Sequence, residues 1–245
     1  MATFVLVHGA FIGGWAFSRV LRLLRAAGHE AHAPTLTGIG ERSHLLNADV
    51  GLATHVLDVV NLIKYEDLRD VILVGHSYAG TVVTNVADRV PDRVSQIVYL
   101  DSQIATHGQN AMGQSPGNTA EKLGSMTESA GPQMLPPISL EAMGIFEAAD
   151  RAWVEPKLVP LPMKCLLDAS HFDHGAPQMP QHYVICTERE SMVAFFKGDP
   201  LAGFVEKARN ENFRFHEIAS GHHPMITHPK ELVALLESIA ALRPV

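Results

Sequence analysis

The sequence predicts an α/β fold with a mostly parallel sheet. Three observations carry this. Short Val-, Ile- and Leu-rich runs alternate with segments whose apolar residues recur at helical spacing. The run "DVILVGHS" is apolar without alternation, as a strand is when both faces of a parallel sheet are covered. The alternation breaks after residue 102 and resumes near residue 179.

The elements follow in chain order. "TFVLVHG" is a short β-branched run ending in Gly, and reads as the first strand. "WAFSRVLRLLRAAG" has an apolar face opposite its arginines, with Gly28 as a stop signal. "HEAHAPTL" reads as a second strand and "THVLDVVNLIKYE" as an amphipathic helix. "DVILVGHS" is the next strand, "GTVVTNVADRV" its helix, and "SQIVYLD" another buried strand. From about 103 to 178 the chain is rich in Pro, Met, Gly and Gln, with helical patterns at "LEAMGIFEAAD" and "PMKCLLDA". The strand–helix rhythm then returns at "QHYVICT", "GFVEKARNE", "FRFHEIA" and "ELVALLESIAAL". The interruption is too long for a plain connection. It is expected to cap the carboxyl ends of the strands, where open α/β sheets bind ligands. The predicted organisation is a first core part over 1–102, a cap insertion over 103–178 and a second core part over 179–245.

At 245 residues and 47% hydrophobic, the chain can bury one large core. The net charge is −7 and the basic residues are scattered, which points away from a nucleic-acid surface. Cys165 and Cys186 sit in apolar surroundings and form no CxxC pair, so two buried free thiols in a reducing compartment are expected. "MATFVLVHGA" has no basic n-region, and its apolar run is too short for a signal sequence or a membrane span. A cytoplasmic location without a membrane partner follows as an expectation. The 14 histidines include His171, His174 and the adjacent His222 and His223, but no convergent ligand spacing. Neither a metal nor a cofactor is expected.

The segment Gly75-His76-Ser77-Tyr78-Ala79 matches the nucleophile-elbow pattern G-x-S-x-G, with Ala at the last small position. It falls between a predicted buried strand and a predicted helix, the context in which a serine is held out on a sharp turn. An acyl-transfer reaction needs two N–H donors for the oxyanion. The Tyr78 N–H, following the nucleophile, is one. The loop in "LVHGAFIGGW" offers the Ala10 N–H as the other, because Gly9 lets the backbone approach. His8 is expected to bond loop backbone. In "EIASGHHPMITHP", His222 leaves the last strand on a loop and suits a general base; His223 and His228 are the alternatives.

Taken together, "FVLVHGAFIGGWAF", "PTLTGIGERSH", "VILVGHSYAG" and "GHHPMITHP" resemble the α/β-hydrolase superfamily. The similarity points to small bacterial esterases related to plant methylesterases and hydroxynitrile lyases. It covers the two flanks of the chain well and the insertion poorly. The resemblance implies an α/β-hydrolase fold with a six-stranded, mostly parallel sheet flanked by helices. It also implies Ser77 as nucleophile, His222 as base, and the Ala10 and Tyr78 N–H groups as oxyanion donors. Lyases of this branch carry Thr where this chain has Ala10, and Lys where it has His223, which weakens a lyase reading.

The acid is less direct. In the plant relatives it follows the strand that here reads "YVICTERE". Methylesterase-like spacing places it on Arg189, which cannot serve, and lyase-like spacing on Glu190. The strand "IVYLD" offers Asp101 at its carboxyl end instead, a position where some α/β-hydrolases hold the acid. Asp101 is taken as the acid, with Glu190 the alternative. The insertion supplies Met112, Met126, Met134, Met143, Phe146, Trp153 and Met163; part of this set is expected to form core and the rest an apolar pocket wall. Arg42 in "GERSH" is expected to form a structural salt bridge. The sequence therefore predicts a serine hydrolase for a small hydrophobic ester or lactone. A cofactor-free lyase and a non-catalytic small-molecule binding protein on the same fold are the alternatives.

Overall fold

The computed structural model describes residues 1–47, 49–130, 133–211 and 213–242; Gly131 and Pro132 of the insertion lie outside the described residues. The first half is built from β1 (Thr3–Val7), α1 (Ser18–Ala26), β2 (Glu30–His32), α2 (Leu52–Tyr65), β3 (Val71–His76), α3 (Ala79–Arg89) and β4 (Val94–Leu100). Then come α4 (Ala111–Gln114), α5 (Gly117–Ala130), β5 (Met134–Leu135), α6 (Ala148–Val154), β6 (Leu161–Pro162) and α7 (Lys164–Leu167). The chain closes with β7 (Gln181–Cys186), α8 (Glu190–Phe196), α9 (Ala202–Asn210), β8 (Arg214–Ile218), α10 (Pro224–Thr227) and α11 (Pro229–Ala241).

Six strands form one sheet in the order β2-β1-β3-β4-β7-β8, and every pairing is parallel. Helices flank it, α1 packing with α11 and α2 with α3. All six residues of β3 are buried, which accounts for its uninterrupted apolar run. The chain starts at β1, moves outward to β2, then crosses to β3 on the other side of β1. The carboxyl ends of β1 and β3 thus flank a topological switch point, where α/β sheets open a crevice.

The segment between β4 and β7 holds α4 to α7 and a two-stranded antiparallel ribbon of β5 and β6. It departs from the helical pattern predicted at "LEAMGIFEAAD": only Ala148–Val154 is helical. Gly144 breaks the predicted helical pattern with φ +75°, and a Cβ there would lie 2.7 Å from Gly221 Cα. The loop is shaped to meet the chain just before His222, and a glycine permits both the turn and the approach.

Candidate active site

Ser77 leaves β3 at φ +56°, in the left-handed region that non-glycine residues avoid. The turn is locked from both sides. The Ser77 N–H donates to Leu100 O at 3.2 Å, and its carbonyl accepts from the Gly80 and Gln103 N–H groups at 3.1 Å each. The result presents Oγ above the carboxyl edge of the sheet. The loop after β1 comes up beside it, and a Cβ on Gly9 would lie 2.8 Å from Ser77 Cβ. Ala10 and Tyr78 both line the cavity over Ser77. Among the described residues, neither of their N–H groups donates to another protein group.

His222 and Asp101 converge on the same point. Ser77 Oγ lies 2.9 Å from His222 Nε2, and His222 Nδ1 lies 2.7 Å from Asp101 Oδ2. A carboxylate only accepts, so Nδ1 carries the proton and Nε2 is free to accept from the serine hydroxyl. Asp101 follows β4 at φ +42°, is fully buried, and takes the Cys186 N–H on its Oδ1 at 3.2 Å. Asp101 thus draws on three neighbouring strand ends: its own, that of β7 and the loop after β8. Glu190 is not brought to His222. It begins α8 and lines a separate surface cavity with Glu188 and His228. Arg189 points its guanidinium to Asp101, with Nη1 at 3.5 Å from Oδ1.

Two further histidines surround His222. His76 Nε2–H donates to the His222 carbonyl at 2.7 Å, and His223 Nδ1–H donates to Met143 O at 2.9 Å. Burial, reinforced by the neighbouring His222, pushes the His223 pKa down to about 3 and that of His76 well below its usual value. Both are therefore neutral supports around His222. His8 bonds Gly9 O at 2.8 Å and the Leu36 N–H at 3.0 Å, and burial lowers its pKa to about 4. Arg42 reaches Thr35 O at 2.9 Å and Asp58 at 3.4 Å, a structural tie.

The Tyr78 side chain is fixed by a buried network that gave no sequence signal. His55 Nε2–H donates to Thr37 O at 2.9 Å, so Nδ1 accepts the Tyr78 hydroxyl at 3.0 Å. Cys165 of α7 packs against the same imidazole, its Sγ 3.7 Å from Nδ1. Burial pushes the Cys165 thiol up to about 12, so it stays protonated. Cys165 and Cys186 are both buried and free.

A cavity of about 100 Å³ opens over Ser77. Its wall is mostly apolar: Leu123 of α5, Leu135 of β5, Leu161 of β6, Leu166 of α7, and Met192 and Phe196 of α8. Gln103, Ser115 and Thr119 add polar atoms, and among the described residues no Asp, Glu, Lys or Arg lines it. This corrects the expected pocket wall, because none of Met112, Met126, Met134, Met143, Phe146, Trp153 or Met163 lines this cavity. Met143 is fully buried core, and Trp153 packs edge-on against Trp15 at 5.3 Å. Met134 and Met163 line an outer groove, and Phe146 is 59% exposed. A segment's composition says how apolar it is, whereas the direction of each side chain is set by its tertiary contacts.

Among the described residues no group of three or more His, Cys, Asp or Glu is placed to hold a metal ion, and no helix is long and apolar enough to cross a membrane. The chain is 42% identical over 168 residues to the carbendazim hydrolyzing esterase of Nocardioides sp. (strain SG-4G), spanning 65% of this chain and 69% of that protein. It is 34% identical over 107 residues to the pyrethroid hydrolase of Sphingobium wenxiniae, spanning 42% of this chain and 37% of that protein. A solved extracellular alpha/beta-hydrolase from a Paenibacillus species superposes with a TM-score of 0.84 at 25% identity, covering 97% of this chain and 98% of that one. That protein is described as sharing structural and functional homology with tobacco Salicylic Acid Binding Protein 2. A model of the alpha/beta hydrolase family matches residues 4–235, and the chain belongs to that family.

Proposed function

We propose that the protein is a serine hydrolase that cleaves a small hydrophobic carboxylic ester or lactone through an acyl-enzyme. The observation that carries this is the continuous Ser77–His222–Asp101 chain of hydrogen bonds, 2.9 and 2.7 Å long, at the floor of an apolar cavity. Ser77 Oγ attacks the ester carbonyl while His222 Nε2 takes its proton. The Ala10 and Tyr78 N–H groups receive the developing oxyanion. The tetrahedral intermediate collapses, and the alcohol leaves with the proton from His222. Water repeats the sequence and releases the acid. Asp101 holds the imidazole in the required tautomer and offsets its transient charge. The names of the two bacterial relatives, an esterase and a hydrolase, support the same reaction class.

The cavity, at about 100 Å³, is small beside pockets of roughly 300–1,000 Å³ that take drug-sized ligands. It fits a short or compact apolar group, with residues 103–178 acting as a cap between the core parts 1–102 and 179–245. Met192, Phe196 and Leu201 also line the cavity, so the wall is shared between cap and core. The lyase alternative is disfavoured by His223, which is buried, bonded to Met143 O and neutral, and so offers no cation for a cyanide leaving group. The two buried free thiols support a cytoplasmic location, which cell fractionation tests.

The test is a p-nitrophenyl ester series. Acetyl to butyryl esters should turn over faster than decanoyl ones, and Ser77→Ala should lower kcat by at least about 10³-fold. Retained turnover in Ser77→Ala would remove the serine from the reaction. Tight binding of the esters without turnover by the unmutated protein would favour a binding protein.

A further inference from the structure

Asp101 has a second ionic partner besides His222. Its Oδ1 faces Arg189 Nη1 at 3.5 Å, while the other arm of that guanidinium, Nη2, lies 2.7 Å from Asp199 Oδ2. The Arg189 side chain is 12% exposed and that of Asp101 is 0% exposed. Asp199 Oδ1 accepts the Leu201 N–H at 2.9 Å, and Pro200 and Leu201 line the cavity. One guanidinium thus joins the carboxylate behind the base to a stretch of pocket wall.

An exposed pair of this kind would do little, because water and salt screen it. Burial removes most of that screening, so the guanidinium acts on Asp101 and its imidazole partner at short range. A buried carboxylate given only one N–H and one imidazole would also be poorly compensated. The other groups facing the Asp101–His222 pair are polar or neutral. They are the Ser77 hydroxyl, the Cys186 N–H and its thiol, the Tyr183 hydroxyl bonded to Ser102 O, and the His76 and His223 imidazoles. Of the charged groups, Arg189 is in direct contact with Asp101, and Asp199 is held on its far side.

We infer that Arg189 is a positioning residue for the hydrolytic reaction: it fixes the Asp101 carboxylate against His222 and sets the pH range in which the pair works. The inference rests on the reading of Asp101 as the acid. It also gives a role to the residue that occupies the plant-type acid position, which holds the relocated acid in place.

The test is the pH profile of kcat/KM for p-nitrophenyl butyrate, from about pH 5 to about pH 9. Removing a nearby positive charge favours the protonated imidazole, so the acid limb moves to higher pH. Arg189→Met should lower kcat about tenfold, leave KM within about twofold, and raise the limb by about half a unit or more. Arg189→Gln is the second uncharged variant, should Met impair folding, and should show the same shift. Arg189→Lys keeps the charge and should leave the limb within about 0.2 units, with most of kcat recovered. In an Asp101→Asn background, adding Arg189→Met should change kcat by less than about twofold, because both act through one path. An unmoved limb in the uncharged variants would overturn the inference, as would an equal loss of kcat with and without Asp101. Unimpaired turnover in Asp101→Asn would instead remove the acid assignment on which the inference stands.

Discussion

Ser77 carries the strain of the site. A left-handed non-glycine residue costs about 1–3 kcal/mol, and such a cost persists only where the surroundings over-determine it. Three backbone hydrogen bonds do so here, to Leu100, Gly80 and Gln103. The serine was legible because its signal is local: small residues around a Ser between an apolar strand and a helix. The carboxylate partner of His222 is only partly legible. Chain order admits both Asp101 and Glu190, and spacing cannot choose between them. The choice lies in tertiary geometry: the left-handed backbone of Asp101, the Cys186 N–H from the next strand, and the ring of His222. Arg189 is 88 residues from Asp101 in the chain, so nothing in its local sequence announces the pairing.

At the scale of elements, the buried strands β1, β3, β4 and β7 are legible as short apolar runs rich in β-branched residues, whereas the two-residue strands β5 and β6 are not. The helices between β4 and β7 are also poorly legible. The segment "GNTAEKLGSMTESA" forms α5 although two glycines and a weak apolar face hide it. The predicted helix from Leu140 fails because Gly144 is reserved for the contact with Gly221. Glycines can therefore be sorted by what surrounds them. In α9, a Cβ on Gly203 meets nothing within 4 Å, so Gly203→Ala should stabilise the protein by about 0.5–1 kcal/mol. In α3, a Cβ on Gly80 would lie 1.9 Å from Gln103 O, in the loop that follows Asp101. Gly80→Ala should destabilise by about 1–3 kcal/mol. Urea unfolding of the two variants checks both signs; a stabilised Gly80→Ala would contradict the tight helix–loop packing.

At the scale of the whole molecule, the sheet order was not readable from periodicity, because strand neighbours are set by crossovers between distant segments. It places the ends of β1, β3, β4 and β8 along one edge, and so assembles a site whose parts span most of the chain. The core also buries imidazoles. His8 and His182 have pKa values lowered to about 4 and His223 to about 3, in each case chiefly by burial. The unfolded chain takes up these protons near pH 6.5, whereas the folded one stays neutral. Stability from these groups is therefore full above about pH 6.5 and is lost as pH falls toward about 4. The free energy of unfolding should be lower at pH 5 than at pH 7.5 by about 2 kcal/mol or more. Equal stability at the two values would show that these histidines are not held neutral by burial.

The central claim is that Ser77 is acylated with help from His222, oriented by Asp101. Rapid-quench mass spectrometry during turnover of p-nitrophenyl butyrate tests it directly. The unmutated protein and Glu190→Gln should both accumulate a butyryl adduct on the peptide containing Ser77, with a burst of nitrophenol. In Asp101→Asn the same adduct should form about 10²–10⁴ times more slowly. An adduct on another residue, no adduct during turnover, or slow acylation in Glu190→Gln with a normal burst in Asp101→Asn would contradict the account.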